Sequence, residues 1–405
     1  MKALLIICDG MGDRLTNGKT PLEAAKKPNF DRIARDGVTG LVHTVAPGVA
    51  PGSDTSHLAL FGYDPCECYK GRGPLEALGE NVKLEKGDVA IRGNFATVEG
   101  GVIKDRRAGR DEYGLDELAK SLDGMLIDDV KVIFRKATGH RAIVVFRGKG
   151  LSAKVSDTDP EEVGSHIKSS IALDNSQEAK RTAMIVNKFT EKACKILDGH
   201  KANKERVKMG QLPANAVLGR SAGISEPVVP FGEKYGIRAA AVAGVTLVKG
   251  VCRSVGMDMI SVEGANGHRD TNLKGKADAA LKALDDHDFV FLHIKGTDEV
   301  SHDGDFEGKK RMIERIDKEV LEKILKKADL KNTTIIVTAD HSTPIGLKRH
   351  SADPVPIAIL GDVLTDDVKK FDERSCAKGY LGHIMGRDMM NMILDLTNHS
   401  KLFGG

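Results

Sequence analysis

Four short apolar, β-branched runs, at residues 3–8, 239–243, 288–294 and 333–338, constrain the fold of this chain most. Each suits a buried strand, and amphipathic stretches lie between them. Buried strands alternating with helical stretches predict an α/β fold: a mostly parallel sheet with helices on both faces. Three of the runs end directly in polar residues: Asp9 after the first, residues 295–298 after the third, and Asp340 with His341 after the fourth. Ligands of open α/β sheets bind outside the carboxyl ends of the strands, so distant segments can converge on one site there.

The texture changes between residues 85 and 176. Residues 89–98 and 101–104 read as a hairpin with a Gly-Gly turn, and 141–147 as a further strand. Residues 116–122 and 160–168 read as short helices. Such a mixture predicts a smaller α+β domain inserted into the sheet domain. Residues 177–197 read as a long amphipathic helix that returns the chain to the core. The predicted division is 1–84, 85–176 and 177–405.

With 405 residues, 40% of them hydrophobic and 29% charged, the chain can bury a large core. A net charge of +3 over that length points to neither a nucleic-acid nor a membrane partner. Six cysteines show no framework spacing, and Cys66 with Cys68 forms CxC rather than CxxC, so reduced thiols are expected. The chain opens in a strand-like run without the pattern of a signal peptide, and no run is long enough to span a bilayer. A cytoplasmic location is the expectation. Oligomeric state is left open, a homo-oligomer included.

The chemistry resides in scattered carboxylates and imidazoles. Asp298 and His302 are four apart and would share one side of a helical turn. Asp340 and His341 follow a strand where the chain must turn, His350 lies in the loop beyond, and Asp9 closes the first strand. Taken singly, each has a plainer reading as a cap, a polar turn or a loop histidine. Together they fall where the sheet rule places a site, and their donor types suit two divalent cations. Ser53 stands in Pro51-Gly-Ser-Asp-Thr-Ser-His57, which reads as a helix cap or as a phosphate-binding turn carrying a nucleophile. A serine hydroxyl needs a base or a metal to activate it, and GxSxG is absent, so metal coordination is the more economical activation.

The segments ICDGMGDR, GKTPLEAA, PGSDTSHLALFGYDP, YKGRGPLEALG, NFATV, DRRAGR, DTDP, LVKG, DTNLKGKADAAL, TDEVSHDGD, TADHSTP and RHSADPVP span nearly the whole chain. Through them the chain resembles the cofactor-independent (2,3-bisphosphoglycerate-independent) phosphoglycerate mutases of archaeal type, within the alkaline phosphatase superfamily. The resemblance implies one ion on Asp298, His302 and His350, and another on Asp9, Ser53, Asp340 and His341. Those ions would be Mn²⁺, Mg²⁺, Zn²⁺ or Co²⁺, with no bisphosphoglycerate required. It makes Ser53 the nucleophile that carries the phosphoryl group between two half-reactions on phosphoglycerate.

Candidate substrate contacts are Arg106, Arg107, Arg110, Arg141, Arg220 and Lys249, with Asp157 and His140 as weaker candidates for positioning hydroxyls or moving protons. The inserted domain would be a lid that keeps water from the phosphoserine. One alternative is a metal-dependent phosphomonoester hydrolase or phosphotransferase on the same core. A second is a non-catalytic metal- or phosphate-binding protein.

Overall fold

The run Lys2–Cys8 becomes the central strand of an eight-stranded sheet, and from Ala3 to Cys8 it is wholly buried. The sheet order is Asp258–Met259, Ala239–Val242, Phe289–Ile294, Lys2–Cys8, Thr333–Thr338, Val355–Leu360, Val38–His43 and His383–Met385. All neighbours are parallel except Val355–Leu360, which runs antiparallel to both of its neighbours. The mostly parallel α/β class expected from the alternation of runs and helices is the class observed. This structure, a computed structural model, describes residues 1–402.

The chain divides into two compact units, Met1–Tyr69 with Val228–Gly405, and Lys70–Pro227. The second unit is therefore wider than the 85–176 read from sequence, and two physical reasons account for it. Helix Arg72–Gly79 presses Ala77 against Ala90, Ile143 and Val145 of the smaller sheet. Helix Gln177–Gly199 buries Ile185, Val186, Phe189, Ala193 and Leu197 in the same core as Val89, Phe95 and Phe134. That helix does not return the chain to the first unit as expected; strand Ala216–Ile224 first pairs with Val89–Glu99.

The second unit is built on antiparallel pairing. Val89–Glu99 and Val102–Asp105 form the expected hairpin, and Gly100 and Gly101 supply the turn at φ 58° and 82°. Val130–Lys136 and Arg141–Arg147 continue the sheet. Residues 160–168, expected as a helix, contain none. Asp159 accepts from the Glu161 N–H at 2.9 Å, and Gly164 and Ser165 bridge to Ile103 instead, so the segment bonds to the hairpin rather than to itself.

Candidate metal centre and anion-binding residues

Three strand ends of the first unit deliver the carboxylates. Lys2–Cys8 ends at Asp9, and Gly10 turns the chain at φ 63° where an added Cβ would lie 2.6 Å from Asp298 Oδ1. Phe289–Ile294 leads into helix Gly296–Asp303, which places Asp298 and His302 on one side. Thr333–Thr338 ends at Asp340 and His341. Ser53 is the first residue of helix Ser53–Leu60, with Gly52 in extended conformation before it.

Two clusters result. Asp298, His302 and His350 offer donor atoms all within 4.8 Å of one another, and so do Asp9, Asp340 and His341. They adjoin, since the His341 and His350 rings stack at 3.5 Å between centroids. Ser53 Oγ lies 3.2 Å from His341 Nε2, and Ser53 is only 8% exposed.

The hydrogen bonds set which atom each histidine presents. His302 Nδ1 donates to Lys348 O at 2.9 Å, and His350 Nδ1 donates to Pro51 O at 2.8 Å. Thr343 Oγ1 donates to Asp298 Oδ1 at 2.6 Å and so accepts from His341 Nδ1 at 3.0 Å. With Nδ1 protonated in all three, Nε2 carries the lone pair. Those lone pairs face carboxylate oxygens: His302 Nε2 lies 3.3 Å from Asp298 Oδ2, His350 Nε2 lies 3.6 Å from Asp298 Oδ1, and His341 Nε2 lies 3.3 Å from Asp340 Oδ2. Asp340 Oδ1 accepts from the Gly10 and His341 N–H groups, while buried Oδ2 accepts no hydrogen bond. Acceptors converging on acceptors call for a cation, and the mixed His/Asp donor sets suit divalent metals.

Electrostatics agree with that polarity at His341, whereas at His302 the neighbouring carboxylate favours a proton on Nε2 until a cation replaces it. Burial holds His341 down to about 3, against the raising effect of Asp9, so its imidazole is neutral. Burial opposes ionisation of Asp298, yet its contact with His302 and the charge of Lys295 hold the carboxyl well below the usual carboxylate range. His302 is raised, first by its contact with Asp298.

In the second unit the expected arginines take different roles. Arg106 is engaged by Asp159, through Nε at 3.0 Å and Nη2 at 2.7 Å. Arg107 and Arg110 are exposed on the following turn, and together with Arg141 their charges act on His140, held down to about 4 by burial first and then by these cations. Arg220 donates to Glu161 at 2.8 Å and keeps a buried Nε without a partner. Asp157, raised by burial, accepts from the Ser221 N–H at 2.8 Å. Lys249 lies in the first unit on helix Thr246–Ser254, where its charge acts on buried Lys276.

Sequence reasoning passed over several residues that the structure adds. Arg92 stands opposite Arg220 in the sheet and feels Glu76, Arg72, Arg220 and Arg141 in turn; burial holds it down to about 10. A cation inside the apolar run Val-Ala-Ile-Arg-Gly was the available signal. Arg206 is fully buried and donates to the carbonyls of Ala108, Asp111, Tyr113 and Leu212. It thereby holds a turn in which Ala108, Gly109 and Arg110 have φ of 46°, 72° and 62°. Thr343, Lys295 and His293 bond to the two candidate clusters; His293 Nε2 donates to Asp9 Oδ2 at 2.8 Å. No sequence pattern marked those three as partners of ligands.

Relatives decide the family. A curated protein of Archaeoglobus fulgidus, named 2,3-bisphosphoglycerate-independent phosphoglycerate mutase 1, is 50% identical to this chain over the full length of both. The chain belongs to the 2,3-bisphosphoglycerate-independent phosphoglycerate mutases. It is an enzyme of the isomerase class. Residues 34–203 match the sequence profile of that family. A mutase of the same name from Methanocaldococcus jannaschii is 48% identical over 100% of this chain and 99% of its own. Among solved structures, a Pyrococcus horikoshii protein is 39% identical with a TM-score of 0.85, covering 100% of this chain and 99% of its own. The cofactor-independent phosphoglycerate mutase of Thermoplasma acidophilum is 36% identical with a TM-score of 0.72, covering 98% and 100%. No described helix is long and apolar enough to cross a membrane.

Proposed function

We propose that this mutase interconverts 3-phosphoglycerate and 2-phosphoglycerate, a step of glycolysis and gluconeogenesis, through a phosphoserine on Ser53 and without bisphosphoglycerate. The observation that carries the reading is Ser53 Oγ at 3.2 Å from His341 Nε2, at the N-terminus of a helix and beside the Asp9, Asp340 and His341 cluster. Asp298, His302 and His350 would hold one divalent ion, and Asp9, Ser53, Asp340 and His341 a second. Two such ions lower the pKa of a serine hydroxyl and neutralise phosphoryl charge.

The chain's own groups account for the rest. Ser53 attacks phosphorus, its bond to the 3-oxygen breaks, and glycerate is left with a 3-hydroxyl. The 2-hydroxyl then attacks the phosphoserine, the Ser53 Oγ–P bond breaks, the hydroxyl proton returns to Oγ, and no water is consumed. The N–H groups opening helix Ser53–Leu60 favour the anion in both steps. Arg107, Arg110, Arg141 and Arg220, joined by Arg92, would hold carboxylate and phosphate, with Arg106 fixed by Asp159. Asp157 and His140 would position the glycerate hydroxyls, and Lys249 would meet the phosphate. The second unit, Lys70–Pro227, would exclude water while glycerate turns.

The test supplies 3-phosphoglycerate with no bisphosphoglycerate and follows 2-phosphoglycerate against free phosphate, with and without chelator. Chelator-sensitive formation of 2-phosphoglycerate is expected, and Ser53→Ala abolishes it while metal binding persists. Phosphate release without 2-phosphoglycerate would mean a hydrolase.

A further inference from the structure

We infer that Lys295 is the internal counter-ion of the ligand set: its ammonium holds the two clusters together before metal arrives and competes with metal for them. The inference rests on the two-cluster reading above. Lys295 Nζ lies 2.9 Å from Asp9 Oδ1 and 2.7 Å from Asp298 Oδ2. Those carboxylates belong to different clusters, so one cation spans both. The side chain is only 21% exposed, while the side chains of Asp9 and Asp298 are 0% and 2% exposed. Two nearly dehydrated carboxylates repel each other strongly unless a cation stands between them.

Position in the fold aims the side chain at both carboxylates. Lys295 directly follows strand Phe289–Ile294 and directly precedes helix Gly296–Asp303, so its backbone is set by both. Thr297, two residues on, donates its hydroxyl to the Asp9 carbonyl and ties this turn to the end of strand Lys2–Cys8. The ammonium can swing out along its four-carbon stem, whereas the carboxylates are fixed by Thr343 and His293. Lys295 is therefore a positioning residue. An incoming divalent ion meets a cation already seated on one oxygen of each carboxylate and binds against its charge.

The experiment uses the full chain stripped with EDTA and dialysed, titrated calorimetrically with Mn²⁺ alone, for wild type, Lys295→Met and Lys295→Arg. Removing a unit charge this close to the donors should tighten the first Mn²⁺ binding at least about tenfold in Lys295→Met. Lys295→Arg, which keeps the charge, should stay within about threefold of wild type. In EDTA, melting of Lys295→Met should fall by about 4 °C or more, since two carboxylates lose their shared cation. Unchanged or weaker Mn²⁺ binding by Lys295→Met overturns the inference, because a merely damaged site binds metal less well. An unchanged melting temperature in EDTA overturns it too, and that arm needs no metal. Wild type that takes up no Mn²⁺ while Lys295→Met melts lower would instead refute the metal reading and leave Lys295 as the ion-pair partner of both carboxylates.

Discussion

Replacing Lys309, buried on helix Phe306–Ile316, with methionine should strongly destabilise the first unit. The ammonium is fully buried and donates to Gly12 O at 3.0 Å, Asp13 Oδ2 at 2.8 Å and Thr343 O at 3.1 Å. Gly12 and Asp13 follow Asp9 in sequence and Thr343 follows His341, so one side chain ties together two of the strand-end segments that carry candidate ligands. Methionine fills most of the volume but leaves the Asp13 carboxylate, itself 1% exposed, with only the Arg14 and Ile345 N–H groups. Breaking a buried pair from one side costs about 3–5 kcal/mol. The orphaned carbonyl of Thr343 adds about 1 kcal/mol, while Gly12 O keeps a bond from the Thr343 N–H at 3.0 Å. A loss of about 5 kcal/mol lowers the melting temperature by roughly 10–20 °C for a unit of this size. Thermal and urea unfolding in EDTA would measure it, with metal absent so that binding does not mask the change. The partner experiment is Asp13→Leu on the Lys309→Met background: removing both charges should restore part of the loss, giving a coupling of about 2 kcal/mol or more. A Lys309→Met protein melting within 2 °C of its parent, by the same scale, or strictly additive single and double variants, would refute this reasoning.

Thr343→Val removes the hydroxyl that links Asp298 to His341, and metal affinity measured by Mn²⁺ titration should fall roughly 10- to 100-fold with little change in fold. Glu373 supplies a pH signature away from the ligands. Burial raises it from 4.5 to about 7, although it accepts from the Asp13 N–H at 3.0 Å and from Thr20 Oγ1 at 2.8 Å. Because the folded value lies above the unfolded one, this group's contribution is fully present below about pH 4.5 and is lost as pH rises through 7. The loss reaches up to about 3 kcal/mol. Glu373→Gln should therefore gain stability relative to wild type between pH 5 and 8 in urea titrations, and a constant difference would exclude the effect. Arg206→Lys keeps the charge but cannot reach four carbonyls, so the turn bearing Arg107 and Arg110 should loosen. The expected result is a KM for phosphoglycerate raised about tenfold with kcat less affected, a split that general unfolding would not produce.

What the sequence made legible followed from local periodicity. Lys2–Cys8, Phe289–Ile294 and Thr333–Thr338 announce themselves because a strand buried on both faces is a nearly continuous run of apolar or β-branched residues. Their ends then located Asp9, Asp298, Asp340 and His341, since a parallel sheet puts all its carboxyl ends on one side. The boundary of the second unit was misplaced because amphipathicity shows that helix Gln177–Gly199 has an apolar face but not which sheet receives it. Residues 160–168 failed as a helix for a related reason: their hydrogen-bonding partners, Ile103 and Asp159, are set by the tertiary fold.

The supporting groups were the least legible, and for a common physical reason. Thr343, Lys295, Lys309 and Arg206 act on atoms that become neighbours only when strands far apart in sequence align. Lys295 reaches Asp9 across 286 positions and Lys309 reaches Asp13 across 296. Nothing in a lysine's local context separates a solvated charge from one shut between carboxylates. Burial makes the distinction, and burial of a cation is tolerated only against fixed acceptors. The two lysines therefore report on the same requirement from two sides. Lys309, with three acceptors in permanent loops, is a staple, whereas Lys295, whose acceptors are candidate ligands, would hold its place only until a stronger cation took it.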